Sequence, residues 1–163
     1  MSKKIIGDVN LSDLYLKQLP EILKDVSIDG HFFCSNNKLT SLQGAPTNVS
    51  GNFDCSFNKL TTLQGAPKTV GGDFSCGFNK LTSLEGAPTS VDRGFDCAYN
   101  NLTSLTGAPK TVGGNFFCYN NKLTSLDGAP KTVGGHFHCD NNPGKFTETQ
   151  VRAICDVKGD VYV

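Results

Sequence analysis

The chain has 163 residues, 37% of them hydrophobic, with no Trp, one Met, 18 Gly and 7 Pro, and its fifteen Lys plus Arg balance fifteen Asp plus Glu. A net charge of zero removes the long-range field that draws proteins to nucleic acid or anionic lipid, and no apolar run approaches the roughly 20 residues of a bilayer span. The first ten residues hold no signal-peptide core, so the expected compartment is the cytoplasm, and seven cysteines, an odd number, are expected as reduced thiols rather than a disulfide framework.

Residues 1–27 read as an N-terminal cap repeat. Val9, Leu11, Leu14, Leu16 and Leu19 stand where later units carry Phe, Cys, Asn, Leu and Leu, and Pro20–Lys24 adds two residues that predict one helical turn. From residue 28 to 142, six strand units recur on a 21-residue ruler set by Cys34, Cys55, Cys76, Cys97, Cys118 and Cys139. Each unit reads V-x-G-x-F-x-C-x-x-N-x-L-x-x-L-x-G-A-P, with small departures. Phe and Cys, two residues apart, point to one face of a short parallel strand, and the residues beside them point to the other. The Asn that follows sits where the chain leaves the strand, and its amide can satisfy loop backbone groups that would otherwise be buried unpaired. Gly-Ala-Pro ends the Leu-x-x-Leu turn and makes the opposite, convex side extended or 3-10, with Gly-Gly pairs such as Gly71-Gly72 as turns. At least seven parallel strands are expected. Residues 143–163 form the C-terminal cap: Thr147-x-x-Gln150 is a capping-box pattern, with Phe146 and Val151 spaced as a hydrophobic staple. A helix is expected there with Val151, Ile154 and Cys155 on its buried face and Gly159 at its end, followed by a strand over 161–163.

This unit resembles the leucine-rich repeat L-x-x-L-x-L-x-x-N-x-L, with Phe and Cys in two strand positions, over nearly the whole chain. Its length is similar to the short repeats of bacterial secreted effectors, and the wording LTSLxGAPxxVxGxFxCxxN looks like repeat proteins carried by large tailed bacteriophages. The resemblance implies one domain, a β-dominated solenoid of the α/β leucine-rich-repeat horseshoe type: parallel strands on the concave side, an extended or 3-10 convex side and a C-terminal capping helix. It also implies non-enzymatic protein binding; in the phage setting the partner would be a host defence component, bound and inhibited in the host cytoplasm. The effector ligases with such repeats carry a separate catalytic domain, for which this chain leaves no length.

No catalytic constellation, metal or cofactor is expected. The cysteine ladder is read as core packing, since Cys behaves as a small apolar residue and no C-x-x-C pair stands in the sequence; Cys155 is read as a buried cap residue. His136, His138 and Asp140 share one strand's exposed side, as contact residues or, alternatively, as a metal-ligand set. Lys38, Lys59, Lys80 and Lys122 form a solvated rim. The outward residues of the strand face include no Lys or Arg, and folding does not call for the large groups among them. The candidate partner-binding set is therefore Phe33, Asp54, Asp73, Asp96, Phe117, Tyr119, His136 and His138, joined by the aromatic column Phe57, Phe78 and Tyr99, which serves either ligand contact or rim packing. The expected partner is another protein with a basic or apolar contact surface, not nucleic acid or membrane. A structural or adhesive repeat protein is the alternative, and neither oligomeric state nor partner identity is legible.

Overall fold

Each 21-residue turn of the chain lays down two short extended segments, one around its Val and one beginning at its Phe, because β-branched and aromatic residues suit a pleated, half-buried surface. A computed structural model describes residues 3–163; Met1 and Ser2, the start of the N-terminal cap, lie outside the described residues. The turns wind into a repeat solenoid with two sheets, each of eight parallel strands. One sheet holds the Val-type strands β1 (Lys3–Ile6), β3 (Val26–Asp29), β5 (Asn48–Val49), β7 (Thr69–Val70), β9 (Ser90–Val91), β11 (Thr111–Val112), β13 (Thr132–Val133) and β15 (Asp156–Val157). The other holds β2 (Val9–Asn10), β4 (Phe32–Phe33), β6 (Phe53–Asp54), β8 (Phe74–Ser75), β10 (Phe95–Asp96), β12 (Phe116–Phe117), β14 (Phe137–His138) and β16 (Val161–Tyr162).

The odd-numbered sheet corrects the expectation of one short strand per repeat: each turn supplies two. Because the unit length is constant, the Val segments of successive turns meet in register and bond to one another, as in Lys68 N–H to Thr47 O at 2.8 Å and Gly71 N–H to Val49 O at 3.0 Å. The only 3-10 turn among the described residues is Glu21–Leu23, in the cap where one helical turn was expected. Glycine is required where the turns press together: a Cβ on Gly113 would lie 2.1 Å from the Asp92 carbonyl oxygen.

Between the sheets runs one continuous core. Phe32, Phe53, Phe74, Phe95, Phe116 and Phe137 are fully buried, with successive ring centroids 5.1–5.7 Å apart. The Leu ladders and all seven cysteines are buried beside them, and every cysteine is free. Cys76 Sγ donates to the Asp96 carbonyl of the next turn at 3.2 Å, and Cys55, Cys97 and Cys118 repeat the pattern. Burial pushes these thiols well above their ordinary range, and Cys139, next to the C-terminal cap, to about 12. A thiolate reagent at neutral pH is therefore expected to label the ladder only as the chain unfolds, and all seven thiols to react in denaturant without reductant. Prompt native labelling of Cys76 or Cys97 would contradict this packing.

Both caps keep the ruler with local departures. Val9 pairs with Phe32, a 23-residue step that accommodates the two extra residues of the cap. Leu14, at the Asn position, is 54% exposed, while the Asn37 amide oxygen accepts the N–H groups of both Leu14 and Leu16. Strand β1 was not anticipated, and β3 runs across the 27/28 division. At the other end the helix α1 (Glu148–Ile154) forms with its capping box complete in both directions. Val151 and Cys155 are buried, but Ile154 is 50% exposed, a correction to the expected three-residue face. The chain turns extended at Cys155 and enters β15 directly, so the short helix covers the core with a narrow stripe. Gly159 accordingly does not end the helix; it lies between β15 and β16, where its N–H bonds to Gly135 O at 2.9 Å.

Candidate partner-binding surface

The even-numbered sheet turns Phe and Cys inward, so the residues flanking them form its outer face. Strand register lines up Phe33, Asp54, Ser75, Asp96, Phe117 and His138 in one column across that face. Asp54 Oδ1 accepts from Ser56 N–H at 2.9 Å and Ser56 Oγ–H at 2.6 Å, and Asp96 Oδ1 accepts from Ala98 N–H at 2.9 Å. Each carboxylate is thereby held in place with Oδ2 unpartnered among the described residues, and neither joins an ion pair. Burial raises the Asp96 carboxyl above its ordinary value, with the Asp54 charge adding to the effect and the Ala98 N–H opposing it. Between the two Phe side chains the column encloses a groove of about 240 Å³.

The residues just before each Phe do something the sequence reading missed. Asp8 Oδ1 accepts from His31 N–H (2.8 Å), His31 Nδ1 from Asn52 N–H (2.9 Å), Asn52 Oδ1 from Asp73 N–H (2.9 Å) and Asp73 Oδ1 from Gly94 N–H (2.7 Å). After a break at Gly94, which has no side chain, Asn115 Oδ1 accepts from His136 N–H (2.8 Å) and His136 Nδ1 from Asp160 N–H (2.9 Å). This is a second inter-turn ladder, serving backbone donors that fall between the two sheets. Asp73 and His136, proposed above as contact residues, each give one acceptor to it. The signal was present in the sequence as an acceptor-bearing residue at that position in every unit but one.

The aromatic column lies at the far ends of the same strands. Phe57, Phe78 and Tyr99 all have φ of 54°, in the left-handed region, where the flanking units carry Asn36, Asn120 and Asn141 at 52–55°. Their rings stack on one another at 4.2 Å rather than entering the core, and 52%, 42% and 42% of their surface stays exposed. Tyr119 meets Tyr99 edge-on at 5.5 Å. Toward the C-terminus His138 stacks on Tyr162 at 4.1 Å and lies 4.9 Å from Phe117. Partial burial holds the His138 imidazole below its ordinary pKa against the opposing pull of Asp140. Tyr162 belongs to this face and was overlooked; its register with His138 follows from aligning Val161 on Phe137. No group of three or more His, Cys, Asp or Glu side chains among the described residues is placed to hold a metal ion.

No protein-family model matches the chain, and no curated protein matches it. Among solved structures it is similar to the LRR domain of a Shigella effector, at 16% sequence identity over 94% of this chain and 81% of that one, with a TM-score of 0.47.

Proposed function

We propose that this chain is a non-enzymatic protein-binding scaffold of the leucine-rich-repeat kind, which engages its partner through the outer face of the even-numbered sheet. The observation that carries the reading is the Phe57–Phe78–Tyr99 ladder. A non-glycine residue in left-handed backbone costs about 1–2 kcal/mol, least for Asn and Asp, whose short side chains bond locally. Three successive units bear that cost with aromatic side chains that keep about half of their surface exposed, in a position where neighbouring units use Asn. Their mutual stacking offsets part of that cost, and the ring surface left exposed is the kind that interfaces use as anchors. Phe33, Asp54, Asp96, Phe117, Tyr119, His138 and Tyr162 complete the surface; Asp73 and His136 contribute what their ladder bonds leave free. The further step, a phage-encoded binder that inhibits a host defence protein in the host cytoplasm, rests on the wording of the repeat.

The triple replacement of Phe57, Phe78 and Tyr99 by Asn is expected to abolish capture of a specific partner from bacterial lysate while leaving the melting temperature within a few degrees, because Asn suits the left-handed position. Lys110→Ala and Lys131→Ala, on the side of the odd-numbered sheet, serve as the control. Capture that survives the triple change and is lost in the control would refute the assignment of this face. A structural role is favoured by the outermost strands β1, β2, β15 and β16, each paired on one side only among the described residues, with Ile6 of β1 85% exposed. The same assay separates it, since the captured polypeptide is then the chain itself.

A further inference from the structure

The column on the outer face of the even-numbered sheet is palindromic: aromatic, acid, small hydroxyl, acid, aromatic, as Phe33, Asp54, Ser75, Asp96 and Phe117 on adjacent strands. With strands about 4.8 Å apart, the two acids stand about 10 Å from each other and the two rings about 19 Å. The centre is kept low. Ser75 is the only side chain between the acids in this column, with Gly77 the outward residue on one side of it along the strand and Asp73, tied to Gly94 N–H, on the other. Asp96 uses that space, since both its carboxylate oxygens lie 3.4 Å from where a Cβ on Gly77 would be. Asp96 therefore leans over Gly77 on the neighbouring strand, toward the Asp54 side, at the edge of the groove of about 240 Å³ that both acids line. Asp54 and Asp96 each have one oxygen tied to backbone or hydroxyl donors and the other without a partner among the described residues, and so has the Ser75 hydroxyl.

We propose that this groove seats an arginine side chain of the protein partner, its guanidinium over Ser75 between the two carboxylates and its methylene stem against one of the flanking rings. The inference rests on reading this face as a protein-binding surface and adds the chemistry of the contact. Three features favour a cation. The two carboxylates lie close enough for the Asp54 charge to be felt at Asp96, no Lys or Arg stands among the outward residues of the face to neutralise them, and the aromatic ends offer ring faces to a cation. Arginine is favoured over lysine by shape and hydration. A planar guanidinium presents N–H donors in opposite directions and can serve both carboxylates at once, whereas an ammonium is a compact point charge. The guanidinium is also the less strongly hydrated group, which suits a groove walled by Phe.

The test uses the whole chain, labelled with ¹⁵N and titrated with Nα-acetyl-arginine amide, its lysine counterpart and its neutral isostere, the citrulline counterpart. Saturable binding of the arginine amide on the order of millimolar is expected, as suits a single side chain, with amide shifts centred on Asp54, Ser75, Asp96 and Phe117. The lysine amide should bind several-fold more weakly and the citrulline amide not measurably. Asp54→Asn combined with Asp96→Asn keeps the Oδ1 acceptors for Ser56 and Ala98, so the fold should persist, and arginine affinity should fall at least about tenfold. The triple Asn variant of the aromatic ladder should bind the arginine amide unchanged. Equal binding of arginine and lysine amides would overturn the guanidinium assignment. Equal binding of citrulline, shifts centred away from this column, or indifference to the double Asn change would overturn the cation site itself. These outcomes are independent of partner capture, so the groove can fail while the ladder-dependent binding stands, and the reverse.

Discussion

Phe95→Ala is expected to lower stability by about 4 kcal/mol, the largest loss from a single side chain in this protein. Phe95 is fully buried and lies between Phe74, at 5.2 Å with rings 7° from parallel, and Phe116, at 5.7 Å and 10°. Removing the ring takes away its transfer from water and leaves a void that cannot collapse, because the strands on either side are held at fixed spacing by inter-turn hydrogen bonds such as Phe95 N–H to Asn115 O. In a solenoid each turn couples only to its neighbours, so the damage is also topological. The weakened turn divides the array, and the single cooperative transition is expected to broaden or split into N-terminal and C-terminal steps. Urea denaturation followed by circular dichroism, with amide exchange to locate the steps, checks both parts. An unchanged midpoint would show that the Phe ladder is not the principal support of the stack.

Asn79→Ala ranks second, at about 3 kcal/mol, although it removes only a small polar side chain. Asn79 Nδ2 donates to the carbonyl oxygens of Cys55 (3.1 Å), Cys76 (3.1 Å) and Gly77 (3.2 Å), and its Oδ1 accepts from Leu60 N–H at 2.9 Å. The side chain thus ties its own turn to the preceding one at a point where only 9% of the residue is exposed. Alanine would leave Leu60 N–H with no acceptor and remove a donor from each carbonyl, and an unsatisfied buried group costs more than the net gain of the bond it had made. Asn142 supplies the internal comparison. It makes the same bonds, to Cys118, Cys139 and Asp140, but at the partly exposed end of the array, so Asn142→Ala should cost less, about 1 kcal/mol. Equal losses at Asn79 and Asn142 would mean that burial does not set the cost.

These two positions also mark the boundary between what the sequence alone determined and what only the tertiary structure decided. The inward Phe, Cys and Leu positions and the buried Asn were legible because each depends on a spacing of two to eight residues within one unit and every unit repeats the same statement; the repeat length followed from cysteines 21 residues apart, and the capping box at Thr147 from a partner three residues away. Local chemistry repeated six times has little room for another interpretation. The odd-numbered sheet was not legible. Whether the Val segments merely run extended or pair with each other depends on how successive turns stack, which is a relation between residues 21 apart in the chain and adjacent only in space. The same distance hid the second ladder: Asp73 and His136 look like free surface groups until the neighbouring turn brings Gly94 N–H and Asp160 N–H to them. Ile154 was misassigned for a related reason, since a helical face says which residues share a side but not how wide a strip the core can accept. The aromatic column was visible as a column, yet its meaning came from backbone: only the fold shows that Phe57, Phe78 and Tyr99 occupy left-handed positions that Asn fills elsewhere. Phe33, Asp54, Ser75, Asp96 and Phe117 were legible as outward residues of successive strands, and the register bears that out, but the groove between them and the tethering of each carboxylate came only from the fold, because recognition surfaces are assembled across strands while sequence is written along them.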